Sequence, residues 1–361
     1  MRDKTVEFGN GSSGSVSLAS PILRFEGNPI LSARDVNLVW RDPSLQVVTT
    51  HNAGVTIHED ETIMLFRSHL RSGRSVIGLA RSSNGLTDWR IAPSPFIVPA
   101  TADDQFAPQV NAQDQIAMEA GGVEDPRINV VEGQYVITYT AYDAKAKDKA
   151  RVCLITTSDF KSVVRHGPLR NESMRNVVIF PEKIGGQYLG LFRPNDELPG
   201  DLGGKFRQIL LGSTQQLGSG QWELEPTPVM RSPEGPSAFS DKIGPGAPPV
   251  KTAAGWLNLF HGVRHTMSGN PYVLGIALHD LVDPRKVQVS AVPILFPTAA
   301  DCRVSETDYV HAPGVVFSCA MLRRNDGTLV IYYAGNDTVM NVALSHEDVL
   351  VALCQEGSSD L

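Results

Sequence analysis

Short runs of apolar residues alternate with polar residues along most of the chain, and Gly, Pro, Asn and Asp separate the runs. Apolar residues spaced three or four positions apart, as an amphipathic helix requires, are scarce. The pattern therefore predicts an all-β protein containing five β-hairpins. Their paired strands are predicted at 54–58 and 62–67, 127–131 and 134–141, 177–184 and 187–193, 248–251 and 256–261, and 315–323 and 328–333.

Each hairpin is followed by a third apolar run, which makes the hairpin part of a larger repeat. The third strands are predicted at 75–80, 151–156, 207–211, 272–278 and 339–344. A fourth strand closing on a proline and an apolar residue is predicted at 95–96, 168–169, 228–229 and 293–294, with 349–353 in this place in the last unit. Five antiparallel units of four strands are typical of a five-bladed β-propeller. We predict a single propeller domain over 21–361, preceded by a flexible N-terminal tail over 1–20.

Composition and charge exclude several classes of function. The formal net charge is −7 and no basic block is present, which argues against nucleic acid as a partner. No run approaches the roughly 20 apolar residues of a membrane helix, and no secretory signal precedes the repeats, so a cytoplasmic location is predicted. The four cysteines show no metal-ligand spacing, and neither a metal nor an organic cofactor is predicted. A homo-oligomer is compatible with the sequence, which leaves the oligomeric state open.

The topology of the repeat predicts where a functional site lies. In an up-and-down unit, the start of the first strand, the end of the second and the start of the third share one end. Polar and charged residues occupy these places in all five units, so we predict a polar-ligand site at one mouth of the channel. The residues concerned are Asn52, Arg67, Glu124, Asp125, Arg175, Asn176, Arg193, Lys242, His261, Tyr272 and Asp308.

Asp125 is the carboxylate at this mouth that is followed by proline. Pro126 favours an extended conformation for Asp125, which would project the carboxyl group into the mouth. The alternative is an ordinary Asp-Pro turn in which Arg127 pairs locally.

Three cations, Arg175, Arg193 and Lys242, fall at equivalent places in the third and fourth units. Such charges repel one another unless an anion lies between them, and arginine and lysine are the usual ligands of phosphate. The alternative is that each cation pairs with a nearby acid, and the candidates are Glu182, Glu197 and Asp241.

Several motifs, in this order along the chain, resemble glycoside hydrolase family 130. This family contains β-mannoside phosphorylases and some β-mannosidases, and the similarity extends over about residues 28–351. The motifs are GVEDPRI at 122–128, FPEKI at 180–184, FRP at 192–194, KIGPGAPP at 242–249, GWLNLFHGV at 255–263 and YYAGNDT at 332–338.

The resemblance implies a five-bladed propeller that cleaves a β-mannoside with inversion, using inorganic phosphate as co-substrate and giving α-mannose 1-phosphate. It implies that Asp125 is the general acid, whose proton reaches the glycosidic oxygen through a hydroxyl of the bound mannose. It further implies a role in substrate binding for Asn52, Arg67 and Asp308, to which we add Glu124 and His261. The phosphate-binding positions implied are Arg175, Asn176, Arg193, Lys242 and Tyr272.

Two other functions remain open from the sequence. An inverting β-mannosidase on the same fold needs a second carboxylate to activate water, and Glu124, Glu182 and Asp308 are candidates. A propeller that binds glycans without catalysis is the third hypothesis. Phosphate arrives already anionic and needs positioning and charge neutralisation rather than a base, so the cations favour phosphorolysis.

Overall fold

The structure, a computed structural model, describes residues 3–145, 150–195, 208–218, 221–267, 269–356 and 358–359. Strands make up 47% of the chain and helices 9%, so the all-β prediction is confirmed. Within the described residues the strands form sheets of nine, six, five and four strands and one separate hairpin. None of the helices found there is long and apolar enough to cross a membrane.

The N-terminal segment folds against the rest of the chain. Val6, Phe8 and Val16 are buried in a core that they share with the last strands of the chain. The predicted flexible tail is therefore wrong for residues 3–20. The sequence did not indicate this, because the few apolar residues of the segment are isolated in the chain and meet an apolar surface only in the folded protein. The elements of this region are β1 (Lys4–Glu7), β2 (Ser13–Val16), β3 (Leu23–Arg24), α1 (Ala33–Val39) and a 3₁₀ helix at Pro43–Leu45.

Units one and two are antiparallel meanders joined in one sheet by a parallel bridge between Ser75 and Gly122. Unit one consists of β4 (Val47–His58), β5 (Glu61–Leu70), β6 (Ser75–Ser82) and β7 (Arg90–Ile91). The link between the units contains β8 (Gln105–Phe106) and α2 (Ala112–Glu119). Unit two consists of β9 (Gly122–Val131), β10 (Gln134–Tyr142), β11 (Ala150–Thr157) and β12 (Val164–Pro168).

Units three and four have the same order of strands, with the outer strands broken into short pieces. Unit three consists of β13 (Met174–Ile179), β14 (Tyr188–Pro194), β15 (Gln208–Thr214), β16 (Glu223–Leu224) and β17 (Met230–Arg231). Unit four consists of β18 (Lys242–Pro245), β19 (Val250–Lys251), β20 (Trp256–Val263), β21 (Tyr272–His279) and β22 (Val287–Ser290).

Unit five is completed from the other end of the chain. Its strand β25 pairs with β3, so the fourth place in the sheet belongs to the N-terminal segment. The strand predicted at 349–353 is wrong. That segment lies in a helix with acidic residues in its first turn, where they stabilise the helix, and with Leu350 and Cys354 buried on one face. The elements are a 3₁₀ helix at Ala299–Asp301, β23 (Val316–Arg323), β24 (Thr328–Gly335), β25 (Val339–His346), α3 (Glu347–Glu356) and β26 (Ser358–Ser359).

Neighbouring units bury their apolar faces against each other. Separate buried clusters join unit one to two, two to three, three to four and four to five. A further cluster joins unit five to unit one, with Phe66 and Phe317 among its members. Each sheet is thus covered by the units on either side of it, and the last unit is packed against the first.

Candidate active site

A cavity of about 130 Å³ is lined by residues from all five units. We call it the reaction cavity. The structure brings eight of the eleven predicted residues together here, whereas their individual roles remain predictions. The lining residues are Asn52, Arg67, Asp125, Arg175, Asn176, Arg193, Lys242, Tyr272, Phe317 and Asp337.

The same backbone irregularity places three of these side chains. Asn52, Asp125 and Asn176 have positive φ angles of 48°, 51° and 58°, so the extended conformation predicted for Asp125 is wrong. Each is the first of two residues that face a single residue on the neighbouring strand, which is a β-bulge. Asn and Asp tolerate this left-handed conformation better than most residues do. The repeated bulge therefore explains why three successive units present a short polar side chain at equivalent positions.

The Asp125 carboxylate is surrounded by donors and positive charges. Its Oδ1 accepts hydrogen bonds from Asn52 Nδ2 at 3.0 Å and from Arg67 Nη1 at 3.2 Å. Burial by itself raises the pKa of Asp125, but the charges of Arg67, Arg127 and Arg175 outweigh burial and hold this pKa below its ordinary value. These charges therefore favour the ionised form of Asp125, and an anion that offsets them would favour its protonated form.

Arg127 contributes to this field from beneath the cavity. Its side chain is buried, and it donates to the carbonyl oxygens of Gly246 and Ser318, in units four and five. Arg127 also donates to the carbonyl oxygen of the adjacent Pro126 at 2.9 Å, and Asp125 lies at a bulge within β9 rather than in a turn.

The cations of units three and four form one cluster. Arg175 and Arg193 are directly opposite each other on β13 and β14, a pairing that destabilises a sheet when both side chains have the same charge. Lys242 Nζ donates to the Tyr272 hydroxyl at 3.0 Å. Arg193 Nη2 donates to Asn195 Oδ1 at 3.0 Å, which orients the guanidinium.

The pKa values in this cluster show that positive charge dominates the local field. Burial, followed by the charges of Arg193 and Arg175, lowers the pKa of Lys242 to about 7. Burial and the charge of Arg175 lower the pKa of Arg193 to about 10. Of the acids proposed to neutralise the cluster, Glu182 pairs with Lys251 instead and Glu197 lies outside the described residues. The charge of Asp241 acts on Lys242 but is outweighed by burial and by Arg193 and Arg175, and Arg175 itself pairs with Glu124. The cluster is therefore suited to hold an anion.

The lowered pKa of Lys242 predicts that anion binding weakens as the pH rises. A bound dianion stabilises the protonated, ammonium form of Lys242. The pKa of Lys242 is about 7, so above pH 7 the lysine is largely neutral and must take up a proton when the anion binds. Sulfate is the probe, because it stays dianionic over this range. We expect its Kd, measured by calorimetry, to rise by up to about tenfold per pH unit above neutrality. Lys242→Met should remove this dependence, and a wild-type Kd that does not change with pH would contradict it.

Glu124 is not among the residues that line the cavity, and its role in substrate binding stays a prediction. Its carboxylate bridges two guanidiniums, at 2.9 Å from Arg67 Nη2 and 3.1 Å from Arg175 Nη1. Ser75 Oγ also donates to it at 3.3 Å. These contacts occupy the oxygens of Glu124. Glu124 therefore positions Arg67 and Arg175, one on each side of the cavity.

His261 and Asp308 are also misplaced by the sequence prediction. His261 is fully buried under the cavity, with its ring centroid 4.6 Å from that of Phe317, so it has no surface for a substrate. Asp308 is exposed on the segment before unit five, and its Oδ2 accepts a hydrogen bond from the Ser305 amide. The strand predicted at 315–323 is observed at Val316–Arg323, and Asp308 lies too far ahead of it in the chain to line the reaction cavity.

Asp337 is the second carboxylate of the cavity, and the sequence prediction missed it. It lies in the turn between β24 and β25 with φ 48°. Burial raises the pKa of Asp337 to about 6, and the negative charge of Asp125 acts in the same direction. The positive charge of Arg67 lowers this pKa but is outweighed. A signal was present, because a residue between the second and third strands belongs to the predicted mouth. The YYAGNDT motif at 332–338 was used only for the resemblance.

The arrangement suits the transfer of a group to an anion, since a carboxylate and a cation cluster share one small cavity. The family model of glycoside hydrolase family 130, described as beta-1,4-mannooligosaccharide phosphorylase, matches residues 23–356. The chain belongs to this family. The resemblance that its motifs indicate is thus confirmed, and so is the prediction that it is an enzyme.

Comparisons with individual proteins agree with the family. The chain is 33% identical over 227 residues to the 1,2-beta-oligomannan phosphorylase of Thermoanaerobacter sp. (strain X514), covering 63% of this chain and 69% of that protein. It is 27% identical to the 4-O-beta-D-mannosyl-D-glucose phosphorylase of Bacteroides fragilis, covering 99% of this chain and 89% of that protein. The structure of the beta-1,2-mannobiose phosphorylase of Listeria innocua in complex with beta-1,2-mannobiose has a TM-score of 0.74 at 24% identity, over 93% of this chain and 99% of that chain. That likeness shows the fold.

Proposed function

We propose that this protein is an inverting phosphorylase that cleaves a terminal β-mannoside with inorganic phosphate and releases α-mannose 1-phosphate. The observation that carries the proposal is the placement of Asp125 beside the Arg175, Arg193 and Lys242 cluster in one cavity. The two phosphorylase relatives support the same reaction class.

A five-bladed propeller is the architecture that we propose for the scaffold. Its support is the repetition of five antiparallel units and the buried cluster between unit five and unit one. The pairing of β3 with β25 joins the two ends of the chain in one sheet. In such a ring the first strands of all units face one axis, which accounts for a cavity with a contribution from every unit.

In the proposed reaction the phosphate lies against Arg175, Arg193, Lys242 and Tyr272, with Asn176 beside them. The mannose lies between Asn52, Arg67 and Asp337. A phosphate oxygen forms a bond to the anomeric carbon while the bond from that carbon to the leaving oxygen breaks. The leaving oxygen takes a proton that originates from Asp125, through a hydroxyl of the mannose.

The state of Asp125 fits this order of events. Arginine charges favour the ionised form of the carboxylate. A phosphate dianion offsets those charges and raises the pKa of Asp125, so the acid becomes competent only after the nucleophile has bound. No base is required, because the nucleophile is already an anion.

Hydrolysis is the second candidate, and Asp337 is the observation that favours it. An inverting hydrolase needs a carboxylate to activate water besides its acid, and Asp337 shares the cavity with Asp125. The earlier candidates do not fill this place. Glu124 is held in two ion pairs, Glu182 pairs with Lys251 at the surface, and Asp308 lies outside the cavity.

Phosphate dependence separates the two reactions. We expect β-1,2- or β-1,4-mannobiose to be cleaved only when phosphate is present, with α-mannose 1-phosphate detected by phosphorus NMR. Sulfate in place of phosphate is the control, because it fills the same cluster without giving a sugar phosphate. Equal release of free mannose with and without phosphate would contradict phosphorolysis and support the hydrolase.

A further inference from the structure

A second cavity, of about 610 Å³, lies on the side of units one and five. We call it the outer cavity. Its walls come from α1, the start of β4 and residues 303–309. The reaction cavity, at about 130 Å³, is smaller than the roughly 300–1,000 Å³ typical of sites that enclose a ligand. Sugars beyond the mannose that reacts must therefore lie outside the reaction cavity.

The two cavities share the same strands. On β4, Asn52 lines the reaction cavity and Val48 the outer one. Likewise, Arg67 on β5 lines the reaction cavity, and Arg71, just after β5, lines the outer cavity. Four residues along a strand span roughly 13 Å, which is the length of a few sugar rings. The outer cavity thus lies one short saccharide away from the mannose position.

The segment that carries Tyr309, at the rim of the outer cavity, is held to the turn that carries Asp337 in the reaction cavity. The amide of His311 donates to Thr338 Oγ1 at 3.0 Å, and Thr338 directly follows Asp337. The His311 ring lies 6.3 Å from the ring of His51 and 6.0 Å from that of His69. Its Nδ1 is 3.0 Å from the Tyr309 hydroxyl, and the ring of Tyr309 is exposed at the rim of the outer cavity.

The charge of the outer cavity is opposite to that of the protein. Arg34, Arg71 and Arg303 line it, against the single carboxylate of Asp308, in a chain whose net charge is −7. Among the described residues, the guanidiniums of Arg34 and Arg71 have no hydrogen-bond or ion-pair partner. Arg303 donates one bond, to the Glu26 carbonyl oxygen at 2.6 Å. Three exposed guanidiniums around one cavity attract an anionic group.

We propose that the outer cavity binds the leaving end of the saccharide and that its arginines select a leaving end with an anionic group, such as a carboxylate. This inference rests on the proposed phosphorolysis, because it concerns the sugars that leave. It makes Arg34, Arg71 and Arg303 determinants of substrate specificity, whereas the residues of the reaction cavity act on the mannose and the phosphate.

A matched pair of substrates tests the proposal. A β-mannotriose is reduced at its reducing end to the neutral alditol, or oxidised there to the aldonate, so the two differ mainly in one charge. Both are compared in the β-1,2- and β-1,4-linked series at low salt. We expect kcat/KM for the aldonate to exceed that for the alditol by about tenfold, since each exposed charge pair contributes modestly. The preference should fall as salt is added.

Variants assign the preference to the arginines. Arg34→Gln and Arg71→Gln together should bring the aldonate to alditol ratio close to one. Arg90→Gln, an exposed arginine of unit one that pairs with Glu61, is the control and should keep the preference. A wild-type ratio of one or less, or a preference that persists in the double variant, would overturn the proposal while phosphorolysis stands. Absence of turnover of either substrate would overturn the proposed function and this inference with it.

Discussion

Asp125→Asn is expected to lower kcat for phosphorolysis of a neutral mannobiose by about 10²- to 10⁴-fold, the range for loss of a general acid. The amide cannot deliver the proton that the leaving oxygen needs. Asn is also the substitution that best preserves the site, because it tolerates the positive φ of 51° at this bulge. The rate is measured with phosphate and mannobiose both saturating, so that a change in binding does not enter the result.

Asp88→Asn is the matched control for this variant. The same chemical change is made at an exposed carboxylate that also has a positive φ, of 53°, and that lines neither cavity. We expect a kcat within about twofold of the wild type, since surface substitutions have small effects. Thermal unfolding of both variants should show folded protein. An Asp125→Asn enzyme that is folded and keeps more than a tenth of the wild-type kcat would rule out Asp125 as the acid.

Lys242→Met is expected to raise the KM for phosphate about 10²-fold. Removing one partner of a buried, charge-assisted hydrogen bond costs about 2–5 kcal/mol, and 1.4 kcal/mol corresponds to a factor of ten. Met keeps the length and apolar stem of Lys, so the packing against Tyr272 changes little. The variant should also be no less stable than the wild type. Burial of the Lys242 ammonium is unfavourable, as its pKa of about 7 shows, and Met removes that charge.

Lys251→Met is the control for the second prediction. Lys251, on unit four, is half-exposed and pairs with Glu182 on unit three. We expect its KM for phosphate to be unchanged. The KM for mannobiose separates a local effect from a general one, since loss of Lys242 should alter it far less than the KM for phosphate. If both constants rise equally in Lys242→Met, the lysine supports the fold of the cavity rather than the anion.

The sequence predicted the elements of this protein well where the signal was local. Strand alternation and turn residues are properties of neighbouring residues, and all five hairpins are present. The topology rule for the mouth then brought together Asp125, Arg175 and Lys242 without knowledge of any contact. It failed for Asp308, because the rule holds only at the start of a strand and Asp308 lies well ahead of the strand that begins at Val316.

The errors inside the site concern burial, which sequence proximity does not define. Glu124 is next to Asp125 in the chain and both accept from Arg67, but Asp125 lines the cavity at the bulge whereas Glu124 is held between Arg67 and Arg175. His261 lies in a strand at the predicted depth but is covered by Phe317. Asp337 was missed because its importance depends on Arg67 and Asp125, which are distant in sequence.

The sequence by itself determined the β-rich class, the five repeats, the family and most of the charged residues of the site, because these follow from local pattern and residue identity. Tertiary structure alone decided three features: the completion of unit five by β3, the burial of Glu124 between Arg67 and Arg175, and the raised pKa of Asp337. Each depends on contacts between residues far apart in the chain. The physical reason is that desolvation and charge are set by what folds around a side chain, and that environment is formed by all five units together.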